Sequence, residues 1–408
     1  MKFKTLNEQM DVIKRGVDEI LPEDQLVEKI NKSISTNIPL NIKLGCDPSK
    51  PDLHLGHSVV LKKMRDFQDL GHNVTLVIGD FTAMIGDPTG RNKTRPQLNI
   101  ETTKINADTY IDQAAKILNI DKLRVVYNYD WLSKLDFSKL ITISGKFTIA
   151  QFLERDDFSK RYKAGIPISI HEFMYPLAQA YDSVVLRTDV EIGGTDQKFN
   201  LLLGRDLQKE YDMEPQATIM LPILEGTDGK NKMSKSYDNY IAFNDVPNDM
   251  YGKVMSLPDE LMFKYYNLVT NVELKEIEDY KLMLDADKIT FRDLKRKLAR
   301  EIITIFYDDS AASKAEQHFI DIFVNKVAPD DIKVVRIGEK IKLIDFLVDE
   351  DLLSSKGEGK RLIKQSGIKI DNKPLNDINY EIIPGTSITI KIGKRKFIKV
   401  EWSWLHNS

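Results

Sequence analysis

Two short stretches of this chain hold the residue types that phosphate chemistry needs. The first runs Gly45-Cys46-Asp47-Pro48-Ser49-Lys50-Pro51-Asp52-Leu53-His54-Leu55-Gly56-His57. An apolar, β-branched run over 38–44 precedes it, and Val60, Leu61, Met64 and Phe67 follow at helical spacing. Two histidines and a glycine thus stand where a strand hands over to a helix, the place where open α/β sheets bind ligands. A helix start offers free N–H groups and a partial positive charge to phosphates. His54 and His57 can donate to phosphate oxygens without a permanent charge. Gly56 removes the side chain that would hold a base or ribose off the backbone. The second stretch is Lys232-Met233-Ser234-Lys235-Ser236, beside Gly226, Gly229 and Asn231. Lysines among small hydroxyl residues read as a mobile cationic loop suited to a triphosphate. Alone, each stretch has a plainer explanation: surface histidines at a helix start, or solvated lysines. An HxGH turn followed in one chain by KMSKS is the more informative observation.

Further polar groups fall at strand ends and on one helix face. Val74 to Ile78 reads as a short buried parallel strand running into the turn-rich loop Gly79 to Gly90. There Asp87 is placed to meet an ammonium group, or is a turn residue. Arg91 and Arg95 are four apart and share a face if helical, or are solvated surface charge. Tyr175, Gln179 and Asp182 lie at i, i+4 and i+7, one face of a helix. A hydroxyl, an amide and a carboxylate together suit a small polar ligand; an exposed polar face is the alternative. Gly193-Gly194-Thr195-Asp196-Gln197 separates a strand at 190–192 from a helix at 199–207. Its carboxylate is placed to bind a ribose hydroxyl.

The elements that must position these groups follow from periodicity. Residues 1–32 read as a charged helical arm or hairpin, with Ile13, Val17 and Ile20 as one stripe and Leu26, Val27 and Ile30 as another. Strand, helix and strand alternate from residue 38. An amphipathic helix is expected over 101–120, a strand at Leu123–Tyr127, and strands at Val184–Leu186 and Val190–Ile192. The stretch 138–165, with Arg155, Arg161 and Lys163 among Ile, Phe and Leu, reads as helical and as a candidate subunit contact. Residues 245–330 carry no clear strand, and Leu294, Leu298, Ile302 and Ile305 mark an amphipathic helix. A linker at Ala328–Asp331 precedes a last module. It has helices near Leu343–Val348 and Gly359–Gln365, strands at Ile368–Ile370 and Ile388–Ile392, and turns at Asp371-Asn372 and Pro384-Gly385.

Composition narrows the class. A chain of 408 residues holds two or three domains, and 42% hydrophobic with 30% charged residues reads as globular. No apolar run approaches the length of a membrane span, and the polar start lacks a secretory h-region. Cys46 is the only cysteine, which excludes an internal disulfide framework and a Cys-based zinc cluster; a cytoplasmic location is expected. The net charge of −3 gives no hint of nucleic acid, but 338–400 hold 13 Lys/Arg against 9 Asp/Glu. Lys391, Lys394, Arg395, Lys396 and Lys399 crowd its end.

Together, Gly45-Cys46-Asp47-Pro48 ahead of HxGH, Ile85-Gly86-Asp87-Pro88, the Tyr175/Gln179/Asp182 face, Gly193 to Gln197 and KMSKS resemble the class I aminoacyl-tRNA synthetases. Over nearly the full length the chain is similar to the bacterial tyrosyl-tRNA synthetases. The resemblance implies an N-terminal helical arm (1–32), a Rossmann-like parallel-sheet α/β catalytic domain (33–244), an α-helical anticodon-side domain (245–330) and a small α+β S4-type RNA-binding domain (338–402). It implies activation of L-tyrosine with ATP, then transfer to tRNA(Tyr). Mg2+ would travel with ATP, with no dedicated metal site, and the enzyme would be a homodimer.

Residue by residue, the resemblance implies that Asp87, Tyr175 and Gln179 hold the tyrosine α-ammonium and that Asp182 accepts from the phenolic hydroxyl. Gln197 would lie near the carboxylate and α-phosphate, Gly194 and Asp196 at the ribose, and Asp47 beside the reacting groups. His54, Gly56 and His57 would cradle ATP. Arg91, Arg95, Lys232 and Lys235 would clamp the leaving pyrophosphate. In the last module, Lys356, Lys360, Arg361 and Lys364 are the candidate tRNA contacts. Two positions depart from the best-known branch of the family: Lys43 stands where a tyrosine donates to the phenolic oxygen, and Glu191 where an amide is found. Another branch has lysine at the first. The hydroxyl's second partner is therefore open, with Lys43 the first suspect.

Other classes are weighed against this one. A small-molecule adenylating or nucleotidyl-transferring enzyme would share HxGH but lack the helical domain and basic module. A non-catalytic RNA-binding relative need not keep both KMSKS lysines with Asp87, Gln179 and Asp182. The tryptophanyl-tRNA synthetases would not ordinarily join the Tyr-Gln-Asp face to a terminal S4-type module.

Overall fold

The computed structural model describes residues 3–48, 51–87, 100–324, 333–371, 373–383, 387–393 and 396–402. Arg91 and Arg95, the Ala328–Asp331 linker, Asn372, Pro384-Gly385, Lys394 and Arg395 lie outside the described residues. The chain forms two compact units, Met1–Ala312 and Ser313–Ser408.

The first unit is built on a six-stranded sheet of order β1-β6-β5-β2-β3-β4. Its strands are β1 (Glu19–Leu21), β2 (Asn41–Cys46), β3 (Asn73–Ile78), β4 (Leu123–Tyr127), β5 (Val190–Gly194) and β6 (Ala217–Leu221). All pairings are parallel except β1 with β6. Strands covered on both faces read as continuous apolar runs, and β3 is buried from Val74 to Ile78 and β6 throughout. Strand order reverses between β2 and β5, which opens a crevice beyond their C-terminal ends. Within the sheet Lys43 and Glu191 are register partners across that boundary, and both are buried.

Helices then place the motifs. Leu55–Asp69 starts at the HxGH turn and buries Leu61, Met64 and Phe67. Ile170–Leu186 opens with a Ser169/Glu172 capping box and ends at Arg187 in the left-handed region. The expected strand at Val184–Leu186 is instead the last turn of this helix. Three apolar residues are too few to show a period, and the backbone is already helical when it reaches them. The helix expected at 101–120 is Ile100–Ala114. The arm is not wholly helical: Leu6–Lys14 and Glu23–Thr36 flank β1, in which Ile20 lies. β2 begins at Asn41 rather than 38, and Ile38 is 63% exposed. β6 is a further strand that periodicity did not mark. Between 137 and 163 stand three short helices, Phe137–Ser144, Ile149–Phe152 and Asp156–Lys163. Residues 245–312 are helical as expected, and Phe291–Phe306 buries Leu294, Leu298, Ile302, Ile303 and Phe306.

The second unit has its own core. Five strands run in the order β10-β9-β12-β13-β7, with β8 and β11 as a separate pair. They are β7 (Val334–Ile337), β8 (Ile341–Lys342), β9 (Ile368–Ile370), β10 (Lys373–Pro374), β11 (Glu381–Ile382), β12 (Ile388–Ile392) and β13 (Lys396–Trp402). Helices Leu343–Asp349 and Lys356–Lys364 close the core of Phe346, Leu347, Ile363, Ile368, Ile390 and Ile398. β7 pairs with β13, so the sheet begins a few residues before 338. Among the described residues no helix is long and apolar enough to cross a membrane.

Candidate active site

The crevice at the strand ends encloses ≈ 270 Å³ and is lined by Asp47, His57, Asp87, Asn128, Tyr175, Gln179, Asp182, Gly194 and Gln197 among others. That is the scale of a small molecule. One end is built around Asp182, which is 3% exposed. Trp131 Nε1 donates to its Oδ1 at 2.8 Å and Asn128 Nδ2 to its Oδ2 at 3.2 Å. Burial pushes the carboxyl up to about 7, against the pull of Lys43 and these two donors. Lys43, the first suspect for a second donor at this end, is already occupied. It is 1% exposed and bonds Ser183 Oγ at 2.6 Å, the Gln179 carbonyl at 3.3 Å and Glu191 at 3.0 Å. A lysine between two central strands meets the nearest buried carboxylate, and here that is its register partner.

At the other end of the polar face, Tyr175 donates its hydroxyl to Asp47 Oδ2 at 2.9 Å, and Thr82 Oγ1 donates to Asp47 Oδ1 at 2.7 Å. This fixes Asp47 against β3, and Gly79 leaves the room: a Cβ there would stand 2.0 Å from Asp47 Oδ1. Asp87 accepts from Gln197 Nε2 at 2.9 Å and lies 3.5 Å from Arg155. Arg155 also pairs with Asp157 at 2.7 Å and reaches Asn200 at 3.2 Å. The result is a connected acidic wall with one buried guanidinium.

The HxGH turn lies against the segment just after KMSKS. Leu55 N donates to Ile241 O and Phe243 N to Leu53 O, both at 3.0 Å. The backbone N–H of His54 donates to His57 Nδ1 at 3.1 Å, which places the His57 proton on Nε2. Burial holds His54 down to about 2 and His57 down to about 4, so both are neutral donors or acceptors at physiological pH. A Cβ on Gly56 would come within 3.0 Å of the His54 ring, so this glycine lets the imidazole fold back over the turn. Met233 anchors the lysine loop at 5% exposure. Its lysines reach across to opposite sides: Lys232 lies 3.5 Å from Asp196, and Lys235 2.5 Å from Asp52. Cys46 is a liner whose thiol burial pushes up to about 12, which leaves it inert.

Of the described site residues of the first unit, Asp47, His57, Asp87, Tyr175, Gln179, Asp182, Gly194 and Gln197 line the cleft; His54 and Gly56 stand on the same turn as His57, Lys232 reaches Asp196, and Lys235 reaches Asp52. Lys356, Lys360, Arg361 and Lys364 belong to the second unit, exposed on one helix. Periodicity missed Asn128, Trp131, Thr82, Asp52 and Arg155. Asn128 and Trp131 had a usable signal, since they follow directly on β4 at its C-terminal end, where parallel sheets gather ligand contacts. Arg155, on a connection between short helices, had none.

The chain matches the family model of the tRNA synthetases class I (W and Y) over residues 35–324. It is 50% identical to the tyrosine–tRNA ligase of Thermotoga maritima over 396 residues, 97% of this chain and 98% of that relative. Identity to the tyrosine–tRNA ligase of Carboxydothermus hydrogenoformans is also 50%, over 407 residues, with 98% and 99% covered. In structure it is similar to a C-terminally truncated mitochondrial tyrosyl-tRNA synthetase of Aspergillus nidulans, with TM-score 0.64, 22% identity and 78% and 94% of the two chains covered. The tyrosyl-tRNA synthetase of Archaeoglobus fulgidus, complexed with L-tyrosine, gives TM-score 0.62 at 20% identity, covering 76% and 100%.

Proposed function

The chain belongs to the tyrosine–tRNA ligases of class I, and from that premise we propose how its cleft divides the work. The enzyme activates L-tyrosine with ATP to tyrosyl-adenylate and pyrophosphate, then transfers tyrosine to the 3' end of tRNA(Tyr). In our assignment Asp182 accepts the phenolic O–H, held for that purpose by Asn128 and Trp131. Asp87, Tyr175 and Gln179 take the α-ammonium at the other end of the face. Gly194 and Asp196 meet the ribose, and Gln197 the carboxylate and α-phosphate.

The first step displaces pyrophosphate in line, with negative charge building on phosphate oxygens. Such a step can run on positioning and electrostatics without a covalent enzyme intermediate. His57 offers Nε2–H as a neutral donor, and the His54 ring lies beside it, tilted by 45° with 4.0 Å between ring centres. Lys232 and Lys235 bring full charges on a loop tied to carboxylates that phosphates can replace. Arg91 and Arg95 complete the clamp in this reading. Mg2+ belongs with the nucleotide, held by phosphate oxygens and water, and neutralises phosphate charge when bound.

The observation that most supports this division is a buried carboxylate, Asp182, at the closed end of a polar helix face whose other end meets Asp47. Tyrosine-dependent exchange of pyrophosphate into ATP, run with all twenty amino acids and no tRNA, tests it. Exchange with tryptophan in place of tyrosine would reverse the assignment.

Two wider assignments accompany it. The tRNA anchor is the second unit, with Lys356, Lys360, Arg361 and Lys364 on backbone phosphates. The subunit contact of a cytoplasmic homodimer is the helical stretch 137–170, whose Phe137, Ile149, Tyr162 and Ile170 are 77%, 69%, 67% and 79% exposed. Phe137→Glu with Ile170→Glu should yield monomers in sedimentation; an unaltered dimer would move the contact elsewhere.

A further inference from the structure

We propose that the buried Lys43–Glu191 ion pair is a positioning device for Gln179, fixing which end of its amide faces the cleft and so setting the grip on an ammonium group. The proposal rests on the reading of Gln179 as an ammonium partner.

The two residues face each other on β2 and β5 where the strand order reverses, and each is 1% exposed. Lys43 Nζ has three N–H groups and three acceptors: Glu191 Oε1, Ser183 Oγ and the main-chain carbonyl of Gln179. None is left for the cleft. Glu191 is equally occupied. Its Oε1 takes Lys43 and Gln179 Nε2, the latter at 3.2 Å. Its Oε2 takes Ser183 Oγ at 3.1 Å and Gln216 Nε2. Ser183 therefore accepts from the cation and donates to the anion.

A carboxylate paired with an ammonium offers acceptors only. Gln179 must turn its NH2 toward Glu191 and its oxygen away, toward the cleft that it lines. That oxygen is an acceptor, as an ammonium requires; the amide nitrogen in its place would present N–H against N–H. A neutral amide at position 191 can donate or accept, and would leave both orientations of Gln179 open. Lys43 in turn supplies the counter-charge that a buried carboxylate needs. The bound amino acid thus feels the pair through Gln179, without touching it. Gly204 keeps the space for this network, since a Cβ there would stand 2.8 Å from Gln216 Nε2, 3.2 Å from Ser183 Oγ and 3.4 Å from Glu191 Oε2.

The test uses the full-length enzyme and two competitive inhibitors of tyrosine-dependent pyrophosphate exchange. Tyramine carries the phenol and the ammonium; 4-ethylphenol carries the phenol alone. Their ratio of inhibition constants reads the ammonium contact. In Glu191→Gln the tyramine constant should rise about tenfold, the scale of one hydrogen bond to a charged group, while that of 4-ethylphenol changes little. Because this variant leaves Lys43 without a counter-charge, the double variant Lys43→Met with Glu191→Gln is measured beside it, and the same loss of ratio is expected. A ratio unchanged in both folded variants, or an equal weakening of both inhibitors, overturns the proposal. Gln179→Leu separates the two levels. If the ratio collapses there but not at position 191, the positioning role alone fails. If Gln179→Leu leaves the ratio intact, the reading of Gln179 itself fails and takes the proposal with it.

Discussion

Lys235 Nζ stands 2.5 Å from Asp52 Oδ2, joining the lysine loop to the residue two positions before His54. The lysine side chain is 14% exposed and the carboxylate 47%, so the cation is held inward on a partner that solvent can also reach.

Phosphate charge that develops during displacement should draw Lys235 from Asp52. Lys235→Ala is therefore expected to slow adenylate formation by about 10²–10³-fold, the scale for one lost charge-stabilising donor. Tyrosine binding by equilibrium dialysis should change little, because the lost contact belongs to the transition state. Unchanged adenylation, corrected for active-site number, would make the loop a solvated surface.

At Asp182, burial raises the carboxyl to about 7. A phenolic O–H donates best to the ionised form. The tyrosine KM should therefore fall as pH rises from 6 to 8, with kcat moving less. Asp182→Asn should flatten that profile and narrow the preference for tyrosine over phenylalanine, since the charged acceptor that loses most without a phenolic donor becomes a neutral amide oxygen. Retention of both the pH profile and the preference would move the hydroxyl's acceptor elsewhere.

His72 links the N-terminal arm to the sheet. Its Nδ1 accepts from Leu40 N at 3.2 Å, Nε2 meets Gln9 Oε1 at 2.9 Å, and Phe3 stacks on the ring at 5.3 Å. Burial holds it down to about 4 from an ordinary 6.5. The unfolded chain takes the proton first, so this contribution is complete above pH 6.5 and is lost as pH falls from 6.5 to 4, by about 3 kcal/mol. Urea midpoints across that range should fall less steeply in His72→Gln. Parallel curves for the two proteins would exclude His72 as the cause.

The second unit has an independent core, so ending the chain near Pro329 should leave tyrosine-dependent exchange nearly intact. The truncated enzyme should charge tRNA poorly, and its tRNA affinity should depend less steeply on salt, as fewer phosphates are neutralised. Full charging at physiological salt would pass the anchoring role to the helices at 245–312.

Much of this was legible from residue order because the informative groups sit at punctuation. His54, Gly56 and His57 mark a strand-to-helix turn, and Tyr175, Gln179 and Asp182 share a helical period, so spacing alone brings each set together. The pairings made through the sheet were not legible. Lys43 and Glu191 are nearly 150 positions apart, and only the parallel register of β2 with β5 makes them neighbours. Asp52 and Lys235, 183 positions apart and both outside the strands, are likewise neighbours only in the fold. β6 escaped for another reason: it is short and buried throughout, so it has no alternation to detect, and Ala, Met and Leu dilute the strand preference of Thr218 and Ile219 that Val74–Ile78 shows nearly undiluted.

The three-residue strand β1 has a use beyond packing the arm. It pairs antiparallel along β6, Glu19 with Met220 and Leu21 with Thr218, and β6 is the outermost parallel strand of a sheet that continues only on its other side. Stripped of β1, the run Ala217-Thr218-Ile219-Met220-Leu221 would become an unpaired edge, apolar but for Thr218, the kind that recruits strands from other molecules. Glu19, by contrast, is charged and partly exposed, as a blunted edge should be. Deleting residues through Leu21 should therefore turn a dispersed enzyme into one that self-associates, visible as growing light scattering at a concentration where the intact chain stays clear.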